Sequence, residues 1–237
     1  MKVDIIIPCY NEDKNVKKLV ASWNEVINDN SNFYVYFVEN GSSDNTKKNL
    51  VYEIEKLNSD QLQVLFLEKN KGYGSGIKFG IKNSYNEIVC WTHADLQIPS
   101  EDVEKIIIDF INASDETIIY KGKREKRKIL DQFFTIMMSF IGFLFTGLYI
   151  NDINAQPKIA SRYLLSNLEK YPDDFLFDAH FLYKSKYKNL DIVVKKSRFL
   201  QRTGNEAKGG GSLTGKFKLS LKTIRYFILF KKLAKTF

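Results

Sequence analysis

Only two cysteines, Cys9 and Cys90, occur in 237 residues, so a disulfide framework is excluded as the source of stability. Both lie in apolar, strand-like runs, as expected of buried thiols. Glycine and proline together number 17, too few for a collagenous or low-complexity chain. The apolar run at the N-terminus, Val3 to Pro8, is far too short for a signal peptide, so folding in a reducing cytoplasm is the expectation. No eight-residue phosphate loop ending in GK[ST] occurs, and no G-x-G-x-x-G follows the first strand-like run. Both a P-loop nucleotide hydrolase and a Rossmann dehydrogenase are thereby disfavoured. No recognised nucleic-acid-binding motif appears, and nucleic acid is not an expected partner.

What is present is a globular composition, 44% hydrophobic and 27% charged, with a net charge of +8. That charge is unevenly spread. Segment 121–128 (KGKREKRK) has a net charge of +5 and segment 214–237 one of +7, leaving the remaining chain at −4. Residues 132–150 carry no charge, and no acid occurs in 214–237. Cations next to apolar helices suit an anionic membrane surface better than a nucleic-acid groove.

Val3–Pro8 is β-branched, nearly continuous in apolar residues and stopped by proline, which predicts a central parallel strand covered on both faces. A helix is predicted over about 13–27, with Val16, Leu19, Val20, Trp23, Val26 and Ile27 at helical spacing. Further strands are predicted at 33–38, 63–67 and 87–91, alternating with helices over about 45–57 and 76–84. Asp44 or Ser43 would cap the first of these helices. This βα alternation implies an α/β fold, a Rossmann-like, mostly parallel sheet with helices on both faces and a ligand at the carboxyl ends of its strands.

The polar sequence of the first half falls at those ends: PCYNE, ENGSSD, KNKGYGSG and THADLQ. Gly72, Gly74 and Gly76 would let backbone N–H groups approach a phosphate at the start of a helix. Asp95 and Gln97, two residues apart at a strand end, can direct oxygens to one point. Mg2+ or Mn2+ is commonly held by one or two protein oxygens together with substrate phosphates.

PCYNE at 8–12, VENGSSD at 38–44, NKGYGSG at 70–76 and HADLQ at 93–97 together resemble the successive motifs of family 2 glycosyltransferases of the GT-A fold. HADLQ is similar to the DADLQ box of dolichyl- and polyprenyl-phosphate sugar synthases. Weaker similarity continues through GKRE at 122–125, DINAQPK at 152–158, FLFDAH at 175–180 and RTGNEAK at 202–208. The resemblance implies an inverting transferase using a GDP- or UDP-sugar. Pro8, Tyr10, Glu12, Glu39, Asn40, Lys71 and Gly72 would line the donor pocket. Asp95 and Gln97 would bind Mg2+ or Mn2+, with His93 standing where the synthases usually have aspartate.

For a polyprenyl-phosphate acceptor the resemblance implies Arg124, Arg127, Lys158, Arg202 and Lys208 as phosphate contacts. A phosphate oxygen is already ionised and needs no base. A hydroxyl acceptor would need one, and Asp178 is then the candidate. Asp95, Arg124 and Asp178 are thus the expected catalytic residues. The resemblance also implies three regions: a nucleotide-sugar half over 1–120, an acceptor half over 121–210, and a basic amphipathic tail over 211–237. Within 132–150 the small or polar residues Gln132, Thr135, Ser139, Gly142 and Thr146 recur at spacings of three and four. This predicts a helix lying in a membrane interface or against the protein rather than a span, and places the enzyme peripherally on the cytoplasmic face of a membrane.

Overall fold

The computed structural model describes residues 1–125, 129–202 and 213–233. The strands are β1 (Val3–Cys9), β2 (Phe33–Asn40), β3 (Leu62–Leu67), β4 (Ile88–Trp91), β5 (Ile119–Arg124), β6 (Lys158–Ser161) and β7 (Ile192–Ser197). They form one sheet in the order β3-β2-β1-β4-β6-β5-β7. β1 to β4 are mutually parallel, and β5 and β7 are parallel to each other. β6 is wedged antiparallel between β4 and β5. The helices are α1 (Val16–Asp29), α2 (Thr46–Leu57), α3 (Tyr73–Lys82), α4 (Ser100–Ala113), α5 (Ile129–Thr146), α6 (Leu176–Tyr187) and α7 (Leu213–Leu233).

β1 reads as continuously apolar because it feeds two cores. Val3, Ile5, Ile7 and Cys9 pack with Trp23, Val103 and Phe110 on the α1 and α4 side. Ile6 faces Ile77, Trp91, Phe177 and Phe181 on the other side. Both cysteines are buried and unbridged, as their surroundings in sequence suggested. Asp4 interrupts the run without solvent exposure; its carboxylate accepts from Arg162 Nη2 at 2.6 Å and from the Asn86 amide groups at 2.7 and 2.6 Å. A buried carboxylate requires such complete pairing.

α3 begins at Tyr73, earlier than the sequence suggested, and its glycines explain the docking. A Cβ on Gly80 would come within 2.4 Å of Ile6, so glycine lets α3 press onto β1. α5 is about 27 Å long at 1.5 Å per residue, and among the described residues no helix is long and apolar enough to cross a membrane. Its small residues turn inward. Ser139 and Gly142 are buried, and a Cβ on Gly142 would lie 2.1 Å from the Tyr183 hydroxyl. The opposite face, Ile129, Phe133, Ile136, Phe140, Phe143 and Leu144, is exposed. α7 packs on α5 and α6 through Tyr226, Phe227 and Phe230, and Lys222 pairs with Asp174.

Candidate active site

The loops at the carboxyl ends of β1, β2 and β4 converge with residues 198–202, which follow β7. After β1, Asn11 adopts φ 55° and reverses the chain. The Glu12 N–H donates to Thr46 Oγ1 at 2.8 Å, and Asp44 accepts from the Thr46 N–H at 2.9 Å, knitting the first two loops together. Glu39 is buried and accepts from the Ser42 N–H at 2.6 Å. The Asn40 amide donates to the Gly72 carbonyl at 2.9 Å, while its buried Oδ1 has no partner among the described residues. Pro8 and Tyr10 stand part-exposed beside this cluster, and Lys71 is exposed.

The three glycines of the third loop do not open a phosphate cradle. A Cβ on Gly72 would meet the Asp173 carbonyl at 2.5 Å, one on Gly74 the Pro172 carbonyl at 2.4 Å, and one on Gly76 Pro8 at 3.0 Å. The N–H groups of Gly72, Ser75 and Gly76 donate to Asn70, Asp173 and Gly72. Glycine is required here by protein packed around the loop, and at Gly72 also by φ 120°.

Asp95 lies at the centre of the edge. Its Oδ1 accepts from the Gln97 N–H at 3.1 Å, and its Oδ2 stands 3.4 Å from Arg202. Arg202 also donates to Glu12 Oε1 at 2.6 Å, so one guanidinium bridges carboxylates from two loops. Burial raises the Glu12 carboxyl above the ordinary range, opposed by Asn15 and Arg202. The segment carrying Arg202 is held in place by the Leu200 N–H donating to the Gln97 carbonyl at 2.8 Å and by Arg198 forking onto Asp102 and Glu101. The Gln97 side chain donates to the Leu200 carbonyl at 3.3 Å. His93 packs against Tyr73, ring centroids 5.1 Å apart, and burial lowers its imidazole pKa. Among the described residues no three His, Cys, Asp or Glu side chains cluster as a metal-binding group. Asp95 nonetheless fits a hard cation held by one carboxylate and substrate phosphates, since its nearly buried oxygen already faces a positive charge.

Behind this edge sits a closed network. Asp178 is buried; its Oδ1 accepts from Trp91 Nε1 at 2.8 Å and its Oδ2 from Gln156 Nε2 at 2.9 Å and Lys158 Nζ at 2.8 Å. Gln156 also donates to the Tyr73 hydroxyl at 2.6 Å. Lys158 has no exposed surface, and burial pushes its ammonium pKa down against the pull of Asp178. Lys158, read as a phosphate contact, thus has its ammonium on Asp178, and Asp178, read as a base, has both oxygens in use.

Arg124, at the end of β5, is paired with Asp152 and lies 5.5 Å over the Phe199 ring. It stands at one end of a groove of about 280 Å³ between α5, α6 and α7, lined by Phe134, Met138, Leu176, Ala179 and Leu219. Arg127 and Lys208 lie outside the described residues.

The family's sequence model, "Glycosyl transferase family 2", matches residues 4–149, more than half of the chain. The chain belongs to glycosyl transferase family 2. This glycosyltransferase is 28% identical over 185 residues to a UDP-N-acetylglucosamine–dolichyl-phosphate N-acetylglucosaminyltransferase of Methanococcus voltae, covering 70% of this chain and 72% of the relative. It is 26% identical over 211 residues to the human dolichyl-phosphate beta-glucosyltransferase, covering 81% of this chain and 65% of the relative. Its fold matches glucosyl-3-phosphoglycerate synthase from Mycobacterium tuberculosis, solved with Mn2+, UDP and glucosyl-3-phosphoglycerate. That match has a TM-score of 0.70 at 13% identity, over 98% of this chain and 79% of the synthase. The same synthase with Mg2+ and UDP matches at 0.68 and 14%, over 94% and 79%. The transferase therefore has the GT-A fold expected from its motifs and is related to the dolichyl-phosphate sugar transferases.

Sequence reasoning missed three residues that the fold brings to the candidate site. Asp152 holds Arg124, and Tyr73 and Gln156 link the third loop to Asp178. Asp152 and Gln156 lie inside DINAQPK, which carried a weak family signal, and Tyr73 inside NKGYGSG. Nothing in their local sequence shows that the fold brings them to Arg124 and Asp178.

Proposed function

We propose that the transferase moves a hexose from a GDP- or UDP-sugar to a polyprenyl phosphate, with inversion, at the cytoplasmic face of a membrane. The observation that carries this reading is Arg124 at the mouth of an apolar groove, beside an edge where Asp95 is held by the Gln97 N–H and by a long contact to Arg202. A phosphate on a long apolar chain needs a cation for its head and an apolar surface for its tail. The exposed apolar face of α5 beside that groove supports contact with a lipid surface. The names of the two relatives support the acceptor class.

In this reading the donor's nucleoside lies over Pro8, Tyr10, Glu39 and Asn40, and the buried Asn40 Oδ1 waits for a donor group. Asp95 would hold Mg2+ or Mn2+, which stabilises the diphosphate as it departs. Arg124 positions the acceptor phosphate, whose oxygen attacks the anomeric carbon while the bond to the diphosphate breaks on the opposite side. Arg202 ties the acceptor-side segment to the donor edge and adds positive charge where the phosphates meet. The saturated Asp178 weighs against a hydroxyl acceptor, which would require a base.

The test is to incubate the full chain with UDP-N-acetylglucosamine, UDP-glucose or GDP-mannose and polyprenyl phosphate, then identify products by mass. The expected product is a lipid-phosphate sugar from one donor, lost with chelator and restored by Mn2+. Failure of every donor to give such a product overturns the reading.

A further inference from the structure

A second cavity, on the α6 side of β5, is not used by the reaction above. It has a volume of about 310 Å³ and is lined by Lys121, Lys123 and Lys186, with Tyr149 and Val194 at its apolar rim. The lysines come from separate places: two alternate residues of β5 share one face of the sheet, and Lys186 lies in the last turn of α6. Among the described residues Asp152 is the one carboxylate lining this space, and it is paired with Arg124. Three lysines therefore line one cavity whose carboxylate, Asp152, is already shared with Arg124.

Lys121 makes the imbalance costly. Its side chain is 1% exposed, and its Nζ donates to the Gly122 carbonyl at 3.0 Å, a single acceptor for three N–H groups. The carboxylates that act on this ammonium, Asp152 and Asp178, are already paired with Arg124 and Lys158, so its lost hydration is only partly offset. The fold responds by lowering its pKa to about 7, with burial as the first cause and neighbouring Lys158 as the second. An anion in the cavity would supply further acceptors and a negative charge not shared with another cation.

We infer that the cavity walled by Lys121, Lys123 and Lys186 is a second anion site, distinct from the Arg124 groove, that binds a phosphate group. The apolar rim, with Tyr149 and Val194 exposed at the surface, admits a phosphate carried on a larger molecule. The ligand chemistry is thus a phosphomonoester or phosphodiester, supplied by a lipid headgroup or by a free phosphorylated compound.

Amine acetylation of the full chain at about pH 8, read peptide by peptide, tests the site, because Lys121 is largely unprotonated there. Glycerol 3-phosphate is the free probe; vesicles of phosphatidylglycerol, against vesicles of phosphatidylcholine, are the lipid probe. Labelling of Lys121 is expected to fall about 10-fold with an occupied site, since a bound anion shields the amine and favours its protonated form. Protection by glycerol 3-phosphate assigns a free ligand, and protection by the anionic vesicles alone assigns a headgroup; either supports the site. Lys186→Met, at a part-exposed position that leaves the core intact, is expected to weaken the effective probe about 10-fold while UDP binding is unchanged. Unchanged Lys121 labelling with both probes overturns the inference, as does equal protection in Lys186→Met.

Discussion

Two carboxylates at the ends of this site, Asp95 and Asp178, look alike in sequence and have opposite surroundings. Asp95 is bound at one oxygen by its own loop and faces a guanidinium 3.4 Å away with the other. Asp178 accepts three hydrogen bonds, one of them from a wholly buried ammonium. The first can exchange its distant partner for a ligand at little cost. The second cannot release any partner without stranding a buried polar group. Availability for chemistry is therefore set by unspent hydrogen-bonding capacity, and acidity of the residue type says little about it.

The sharpest way to break this contrast is to neutralise each carboxylate in turn. Asp95→Asn should lower turnover about 10³-fold with no change in the circular dichroism spectrum or melting temperature. Asp178→Asn should instead cost about 3–5 kcal/mol of stability, because Lys158 stays buried without its counter-charge. Calorimetry should show a fall in Tm of about 10 °C. The double variant Asp178→Asn with Lys158→Met should recover most of that loss; if it does not, the pair is more than scaffold.

A milder effect concerns His180, buried beneath α7, whose Nδ1 lies 2.8 Å from the Tyr226 hydroxyl. Burial, then Lys184, lowers its pKa from 6.5 to about 4. The folded state thus binds fewer protons than the unfolded state between those values. Its contribution is fully present above about pH 6.5 and is lost as the pH falls towards 4, on the order of 3 kcal/mol. Urea midpoints at pH 7 and 4.5 should differ more in the wild type than in His180→Gln. Smallest is Gly142→Ala, whose methyl group would press on Tyr183 and should cost about 1–3 kcal/mol, measured as a lower Tm.

The first half of the molecule was legible because its signals coincide: an apolar run, then a polar turn, then a helical period, repeated. β1 to β4 and α1 to α3 lie within a few residues of expectation. The small-residue stripe of α5 also announced a two-faced helix, although only the structure shows that the small face turns inward. β6 was not legible. Four residues, KIAS, carry no strand period, and its antiparallel setting is decided by partners some seventy residues away. The Arg202 bridge was hidden for the same reason, since Glu12 and Asp95 are 190 and 107 positions distant in the chain. The glycine loop was read for its chemistry alone, and the packing of residues 172–174 against it supplied a different reason for the same residues.

The position of β6 carries a consequence for any attempt to cut the protein in two. β4 and β5 meet only through it, and β5 has β6 and β7 as its partners. A fragment ending near residue 125 would keep the β1 to β3 pairings, yet carry β4 as an open edge and β5 with no neighbour at all. Such an edge recruits strands from other chains. The donor and acceptor halves expected from the sequence thus share one sheet, joined through β6.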